Sequence, residues 1–343
     1  MPRPSPDLLD ILDAVTIDSP AAFSIDGDRF DLAPDTAPSD QLAASLAHAL
    51  YFRKYSRTGA SRPAPASNPR AARVFVETLS RANCGTGTWE PGWVVEAVEP
   101  DGTLVVRRTR EGLLVWAPPE WFRSTSGVHT PGTAGRVRVA RELRAMMPGY
   151  YACFGDADRG IDVPSRAADV VRFYWHLTAE GAPLWIASLT TRFNQARVPF
   201  HAKVLSDPAM YHRADAGVLY VARPEVGAAL ALLPALHRDV AGELRATTPM
   251  FTRRLADGLA VAEDPGDGSS FGQHRCQLVA DGLVRAFECQ DATLEGRLRR
   301  VADRFGDAGV SLTAPWLNRG STASYRWTTA RPRRPRRPDT QRS

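Results

Sequence analysis

The sequence predicts an α+β fold, in which an antiparallel, β-rich N-terminal half packs with a mixed α+β C-terminal core. Short alternating segments, separated by Gly or Pro, cluster between residues 93 and 142, as is typical of an antiparallel sheet. From about residue 148, helical and strand patterns are mixed. Strands cluster before the helices do, and no regular βαβ alternation connects them, which argues against a parallel sheet.

The predicted elements follow in order along the chain. In the first part they are a helix at 6–16, a hairpin at 22–32, a helix at 41–57, a loop at 58–70, a helix at 71–81 and strands at 93–98, 103–108, 113–117 and 136–142. The second part has strands at 170–177, 200–205, 218–222 and 255–263 and helices at 182–197, 224–247, 271–287 and 294–305. We therefore expect an acidic helical segment with a linker at 1–70, an α+β domain at 71–330 and a disordered Arg/Pro-rich tail at 331–343.

The bulk composition excludes several classes of protein. No apolar stretch approaches the roughly 20 residues that span a membrane, and no signal-peptide core follows the N-terminus, so we expect a cytoplasmic protein. The four cysteines are widely spaced without a C-x-x-C pair, which favours idle thiols over a zinc or disulfide site. Phosphate-binding P-loop, dinucleotide-binding, zinc-protease and serine-hydrolase motifs are all absent. We expect no metal, cofactor or membrane partner.

Charge is distributed unevenly. Residues 1–50 carry nine Asp and two Arg, whereas residues 51–330 carry an excess of basic residues that favours an anionic substrate such as a phosphopeptide. The Arg-rich tail at 331–343 fits a solvated segment better than a nucleic-acid contact, so no nucleic-acid partner is expected.

Lysine is nearly absent, since the chain has two Lys and 41 Arg. A Lys in such a background can do one thing that Arg in effect cannot, which is to lose its proton at accessible pH. Lys203 lies in a predicted strand before an apolar run, a setting that suits a general base. Retention by chance, with the Lys203 stem covering apolar surface, explains the composition equally well.

The surroundings of Lys203 supply further candidates. His201 shares a face of the predicted strand with Lys203, because side chains alternate with period two, and an adjacent His and Lys suit acid–base work. Arg213 and Arg275 each follow a His near a strand or helix start, and Arg binds phosphate in a bidentate way. His274 is a second candidate acid. Each of these residues is also open to a plain surface role.

Six groups of short strings stand in order between residues 172 and 321: Arg172-Phe173-Tyr174-Trp175; Phe193-Asn194 with Val198-Pro199-Phe200 and Lys203-Val204; Tyr211-x-Arg213-x-Asp215 with Val218-Leu219-Tyr220; Pro249-x-Phe251-Thr252; Ala262-Glu263-x-Pro265 with Ser270-Phe271-Gly272-x-His274-Arg275; and Pro315-x-Leu317-Asn318-x-Gly320-Ser321. Together they resemble the HopA-type effector-like family, over roughly residues 80–326. That family includes plant-pathogen type III effectors and proteins of class V lanthipeptide and thioamitide biosynthesis. The Arg-rich, Pro-rich composition favours the second branch.

The resemblance implies a lyase-like core and a cofactor-free lyase. Such a lyase eliminates phosphate from phosphoserine or phosphothreonine of a ribosomal precursor peptide that a kinase-like partner has phosphorylated, leaving dehydroalanine or dehydrobutyrine. By similarity, Lys203 is the base and His201 or His274 the acid. The resemblance also places phosphate or substrate binding at Arg213, Arg253, Arg275, Asp215 and Tyr220. Two alternatives are a non-catalytic scaffold for a leader peptide and a kinase, and an effector-like protein acting on phosphoproteins.

Overall fold

The computed structural model of the protein describes residues 4–32, 38–56, 68–109, 112–124, 126–147, 149–157 and 170–327. These residues contain seven α-helices and three antiparallel sheets, which confirms the predicted α+β class. Residues 58–67 of the predicted linker and the predicted tail at 331–343 lie outside the described residues. Among the described helices, none combines the length and apolarity needed to cross a membrane.

Residues 4–32 and 38–56 form a small layer of helices and strands. In chain order the elements are α1 (Pro6–Ala14), β1 (Val15–Ser19), β2 (Ala22–Ile25), β3 (Asp28–Asp31), α2 (Pro38–Leu50) and a π-helix (Tyr51–Tyr55). Strands β1, β2 and β3 pair in that order as a three-stranded sheet. Their buried apolar side chains belong to the same core cluster as those of the C-terminal helices, so this segment packs onto the rest of the molecule.

A helix and a five-stranded sheet follow. The elements are α3 (Pro69–Ala82), β4 (Thr88–Val98), β5 (Leu104–Arg108), β6 (Leu114–Ala117), β7 (Phe122–Ser124) and β8 (Ala134–Val139). The strand order is β6-β5-β4-β8-β7, and the sheet has a small core of its own around Val95, Val106 and Phe122. The predicted strands at 93–98, 103–108 and 113–117 are therefore present.

The largest sheet has seven strands. Its strands are β9 (Glu142–Met147), β10 (Tyr150–Phe154), β11 (Val170–Trp175), β12 (His201–Leu205), β13 (Gly217–Ala222), β14 (Arg253–Ala256) and β15 (Leu259–Glu263), in the order β14-β15-β11-β13-β12-β10-β9. The helices α4 (Gly181–Gln195) and α5 (Val226–Asp239) cover one face. The other face meets α6 (Phe271–Glu288), which packs against α2 and α7 (Leu294–Asp307).

The structure differs from the predicted elements in several places: strands β1, β7, β9 and β10 were not predicted, and several boundaries are shifted. The helix expected at 224–247 ends at Asp239, because the chain beyond it turns back and Leu244 pairs with Leu177 as an isolated β-bridge. The single strand expected at 255–263 is a hairpin, β14 and β15, turning at Gly258 with a φ of 66°. Strand β10 was not predicted, since Tyr151, Ala152 and Cys153 are all buried and leave no alternating pattern.

Close approach of α6 and α7 generates a stability prediction. A Cβ added at Gly282 of α6 would lie 2.5 Å from the Val301 Cα of α7, whereas one added at the exposed Gly227 of α5 meets nothing within 4 Å. We expect Gly282→Ala to lower the free energy of unfolding by about 1–3 kcal/mol. Gly227→Ala should leave it unchanged or raise it by up to about 1 kcal/mol. Urea unfolding followed by circular dichroism measures both; equal effects would contradict the packing.

Candidate active site

The register of the seven-stranded sheet brings the candidate site together. Residues opposite each other in an antiparallel sheet point to the same face, so each line of partners forms a row. One row runs Ala152, Lys203, Val218, Tyr174 and Ala260; the next runs Phe154, His201, Tyr220, Arg172 and Ala262. Both rows lie on the face opposite α4 and α5. Lys203 and Arg172 thus share one surface, although 31 positions separate them in the sequence.

Lys203 lies between aromatic rings on this surface. Its Nζ is 4.3 Å from the ring centroid of Tyr150 and 5.8 Å from that of Tyr220. Among the described residues, no hydrogen bond or ion pair holds the amine. Burial, with added repulsion from Arg172 and Arg213 against weaker support from Asp215, lowers the pKa of Lys203 from 10.5 to about 8. The predicted general base is therefore easily deprotonated.

Arg213 stands beside Lys203 in a buried network. Its Nε and Nη2 donate to the two carboxylate oxygens of Asp215, at 2.9 and 2.8 Å. The Tyr51 hydroxyl accepts from Arg213 Nη2 at 3.1 Å and donates to Asp215 at 3.0 Å. Burial disfavours the charge of Arg213, but the Asp215 carboxylate outweighs burial and raises the Arg213 pKa. Arg213 therefore stays charged in a site that water barely reaches.

Arg172 is the second buried guanidinium. Its Nε and Nη2 both donate to Asp264, and Nη2 also reaches the Ser269 carbonyl at 3.4 Å. The guanidinium carbon lies 5.4 Å from the ring centroid of Tyr220, the same ring whose centroid is 5.8 Å from the Lys203 Nζ. Burial again opposes the charge, but nearby acidic groups that include Asp264 raise the Arg172 pKa. We call Lys203, Arg172 and Arg213, with Tyr150 and Tyr220, the cation cluster.

The two candidate acids lie in different places. The His201 ring stacks on the Tyr220 ring with centroids 4.2 Å apart, so His201 borders the cation cluster. His274 lies at the start of α6, where its Nδ1 accepts from Arg275 Nη1 at 2.7 Å. Burial and Arg275 lower the pKa of His274, which favours its neutral form.

Arg253 and Arg275 are not brought to the cation cluster. Arg253 is opposite Val261 on the edge strand β14, and its guanidinium carbon lies 5.9 Å from the ring centroid of Trp316. Its strand is two steps from β11, which carries Arg172, and four steps from β12, which carries Lys203, separations of about 10 and 19 Å at the usual strand spacing. Arg275 is fully buried, and its Nε and Nη2 donate to the carbonyls of Pro315 and Leu317. This Arg fastens the 315–317 segment to α6.

The sequence reasoning missed Arg172, Tyr150 and Tyr51 as site residues. Arg172 is the one charged residue among the apolar side chains of residues 170–175 in a predicted strand. A charge in such a strand could have indicated a functional residue. Tyr150 lies on the unpredicted strand β10. Tyr51 belongs to a π-helix, in which the Ser56 N–H donates to the Tyr51 carbonyl five residues back. Such turns are frequent at functional sites, but the sequence gives no pattern for them.

The cation cluster has a definite chemical capability. A neutral Lys203 amine can accept a proton, while Arg172 and Arg213 present fixed positive charge to an anion on the same surface. Among the described residues, no group of three or more His, Cys, Asp or Glu side chains could hold a metal ion. The arrangement therefore suits proton abstraction beside a bound anion.

Comparisons with known proteins agree with the resemblance in the sequence. A model of the HopA1 effector protein family matches residues 145–317, which include the cation cluster. The fold is similar to that of the effector protein from Pseudomonas syringae pv. tomato strain DC3000, with a TM-score of 0.43 and 16% identity over 81% of this chain and 99% of that one. The effector protein from Pseudomonas syringae pv. syringae strain 61 is similar with a TM-score of 0.43 and 13% identity, over 82% of this chain and 97% of that one. No curated protein was found to match.

The lowered pKa of Lys203 predicts that the free energy of unfolding rises with pH between about 8 and 10.5. In that window the folded protein has released the Lys203 proton while the unfolded chain still binds it, and stability rises wherever the unfolded state binds more protons. Below this window both states are protonated, and the full cost of burying the charge remains.

Urea unfolding at several pH values, for wild type and Lys203→Met, measures this effect. The difference between the two proteins cancels the titration of the tyrosines, and it should move in favour of wild type as the pH rises. A difference that does not change with pH would contradict the lowered pKa.

Proposed function

The chain belongs to the HopA1 effector protein family, and from that premise we propose that it is a phosphoserine/phosphothreonine lyase acting on a ribosomal precursor peptide. The product is dehydroalanine from phosphoserine or dehydrobutyrine from phosphothreonine. The observation that carries the proposal is a half-buried Lys203, without an ion pair among the described residues, near enough to the buried guanidinium groups of Arg172 and Arg213 for both to lower its pKa. This combination is what a β-elimination of phosphate requires.

Lys203 is the proposed base. Its neutral amine takes the Cα proton and becomes an ammonium, and the electron pair of the Cα–H bond forms the Cα=Cβ double bond. The Cβ–O bond breaks, and its electron pair leaves with inorganic phosphate. A pKa of about 8 leaves roughly one Lys203 in ten neutral at pH 7, compared with about three in ten thousand at a pKa of 10.5. Burial, with the added charge of Arg172 and Arg213, thus raises the neutral fraction of Lys203 about 300-fold at pH 7.

Arg172 and Arg213 are the proposed phosphate-binding residues. Each guanidinium is already ordered by a carboxylate, Asp264 for Arg172 and Asp215 for Arg213, so neither must be reorganised when the phosphate arrives. Fixed positive charge stabilises the negative charge that develops on the leaving phosphate oxygen. His201, which stacks on Tyr220 beside the cation cluster, is better placed than His274 to protonate that oxygen.

The proposed reaction requires two partners, a phosphorylated precursor peptide and the kinase-like protein that phosphorylates it. Elimination consumes a phosphorylated Ser or Thr, so a kinase-like protein must supply the peptide in that state. We propose that both steps occur in the cytoplasm as part of lanthipeptide-type biosynthesis, with no metal or cofactor in the elimination step.

Replacing Lys203 by Arg tests the base directly. Lys203→Arg keeps a cation on the same strand but removes the titratable amine, so phosphate release from a phosphoserine-containing precursor peptide should fall at least about 100-fold. The matched control is Lys54→Arg, at the other Lys of the chain. Lys54 pairs with Asp26 at 2.7 Å, and Arg can keep that ion pair. Mass spectrometry of the peptide, with EDTA present, measures both variants.

Three outcomes separate the alternatives. Full activity of Lys54→Arg beside an inactive Lys203→Arg supports Lys203 as the base. Elimination that persists in Lys203→Arg keeps the lyase and overturns the assigned base. If wild type binds the peptide but releases no phosphate, even with the kinase and leader peptide supplied, the protein is a binding scaffold instead.

The dependence of rate on pH provides an independent prediction. The value of kcat/KM reports the free enzyme and should rise through a pKa near 8, in addition to a rise near pH 6 from the second ionisation of the phosphate. The corresponding rise in kcat should lie at higher pH, because a bound dianion raises the pKa of Lys203. Steady-state rates between pH 5 and 10 measure both, and a flat kcat/KM between pH 7 and 9 would exclude Lys203 as the titrating base.

A further inference from the structure

A cavity of about 590 Å³ lies between α2, the π-helix and the start of α6. Two helix faces form its opposite walls. Residues of α2 and the π-helix contribute at the helical spacing i, i+3, i+4 and i+7, namely Ala44, Ala47, His48 and Tyr51. From α6 come Gln273, His274, Gln277 and Leu278. Short alanine side chains on the α2 wall leave the space open.

This cavity adjoins the cation cluster through two of its lining residues. Tyr51 lines the cavity, and its hydroxyl is hydrogen-bonded to both Arg213 and Asp215. Ser269 also lines it, and its carbonyl accepts from Arg172. A ligand in the cavity is therefore separated from each guanidinium group by a single hydrogen-bonded residue, Tyr51 for Arg213 and Ser269 for Arg172.

The lining favours an apolar group over a second anion. Ala44, Ala47, Phe52 and Leu278 provide apolar surface, and Asp267 is the single carboxylate among the residues that line the cavity. His274 adds no positive charge near neutral pH, since burial and Arg275 lower its pKa and its Nδ1 already accepts from Arg275. The other polar groups of the lining are the imidazole of His48, the hydroxyls of Tyr51 and Ser269 and the amides of Gln273 and Gln277. Neutral donors and acceptors of this kind suit the backbone of a peptide.

The size of the cavity favours a peptide segment. Pockets of about 300–1,000 Å³ hold drug-sized ligands, which are larger than a phosphoryl group. We propose that the cavity binds a large apolar side chain of the substrate peptide, within two residues of the phosphorylated position, and thereby selects which phosphoresidues are eliminated. This inference rests on the proposed lyase function and adds the sequence preference of the same site.

The test uses phosphoserine decapeptides with Gly and Ser at the other positions and either Phe or Ala placed one or two residues before or after the phosphoserine. Wild type should have at least 10-fold higher kcat/KM for one of the Phe peptides than for its Ala counterpart. Ala44→Leu fills the cavity without touching the cation cluster. It should remove this preference by lowering kcat/KM for the Phe peptide only. Ser45→Leu is the matched control, since Ser45 is the next residue of α2 and does not line the cavity.

Binding separates this inference from the lyase proposal. Fluorescence anisotropy with the same peptides, on Lys203→Met with and without Ala44→Leu, measures affinity without turnover. A loss of affinity for the Phe peptide on adding Ala44→Leu supports the pocket, whether or not wild type eliminates phosphate. Equal affinity for Phe and Ala peptides, or an equal loss for both in the Ala44→Leu protein, would overturn it.

Discussion

The register of the seven-stranded sheet is the constraint on which the site depends. Because side chains alternate between faces, a slip of one residue between β12 and β13 would turn Lys203 towards α4 and α5 and expose apolar residues in its place. The alternating residues Ala202 and Val204 are fully buried in the core under those helices. Burial of one face therefore fixes the position of the amine on the other. In this protein the hydrophobic core and the placement of a single charge are two results of the same pairing.

The three cations of the site are stabilised in different ways. Arg172 and Arg213 are almost completely buried, and each has a carboxylate that compensates for the lost hydration. Lys203 has aromatic ring faces instead, and these compensate only in part, since its pKa stays well below the ordinary value. The two residue types therefore have different roles. Paired guanidinium groups hold fixed charge, whereas the amine without a carboxylate keeps a proton that it can exchange.

Much of the fold could be predicted from the sequence, but only part of the site could. Alternation and helical periodicity gave most helices and strands, and the rarity of Lys singled out Lys203. The same composition concealed Arg172, because Arg is the default cation of this chain and one more Arg carries no signal. Arg275 was chosen from its local neighbours and Arg253 from the family resemblance. In the structure Arg253 lies over the Trp316 ring at the edge of the sheet, and backbone carbonyls occupy the guanidinium of Arg275. Tyr51 is 162 positions from Arg213, a contact that local patterns cannot reveal.

The π-helix at Tyr51–Tyr55 shows that the candidate site includes residues outside the segment that matches the family. The family match begins at residue 145, but the hydroxyl that bridges Arg213 and Asp215 comes from Tyr51, and the Ala214 N–H donates to the Ser56 carbonyl. Phe52 lies 5.6 Å from the Arg213 guanidinium and shields it from water. A fragment cut to the matched region would keep every charged residue of the cation cluster and lose the wall that keeps them dry. Their electrostatic interactions would then be weakened by solvent, so the candidate site extends about a hundred residues upstream of the segment by which the family is recognised.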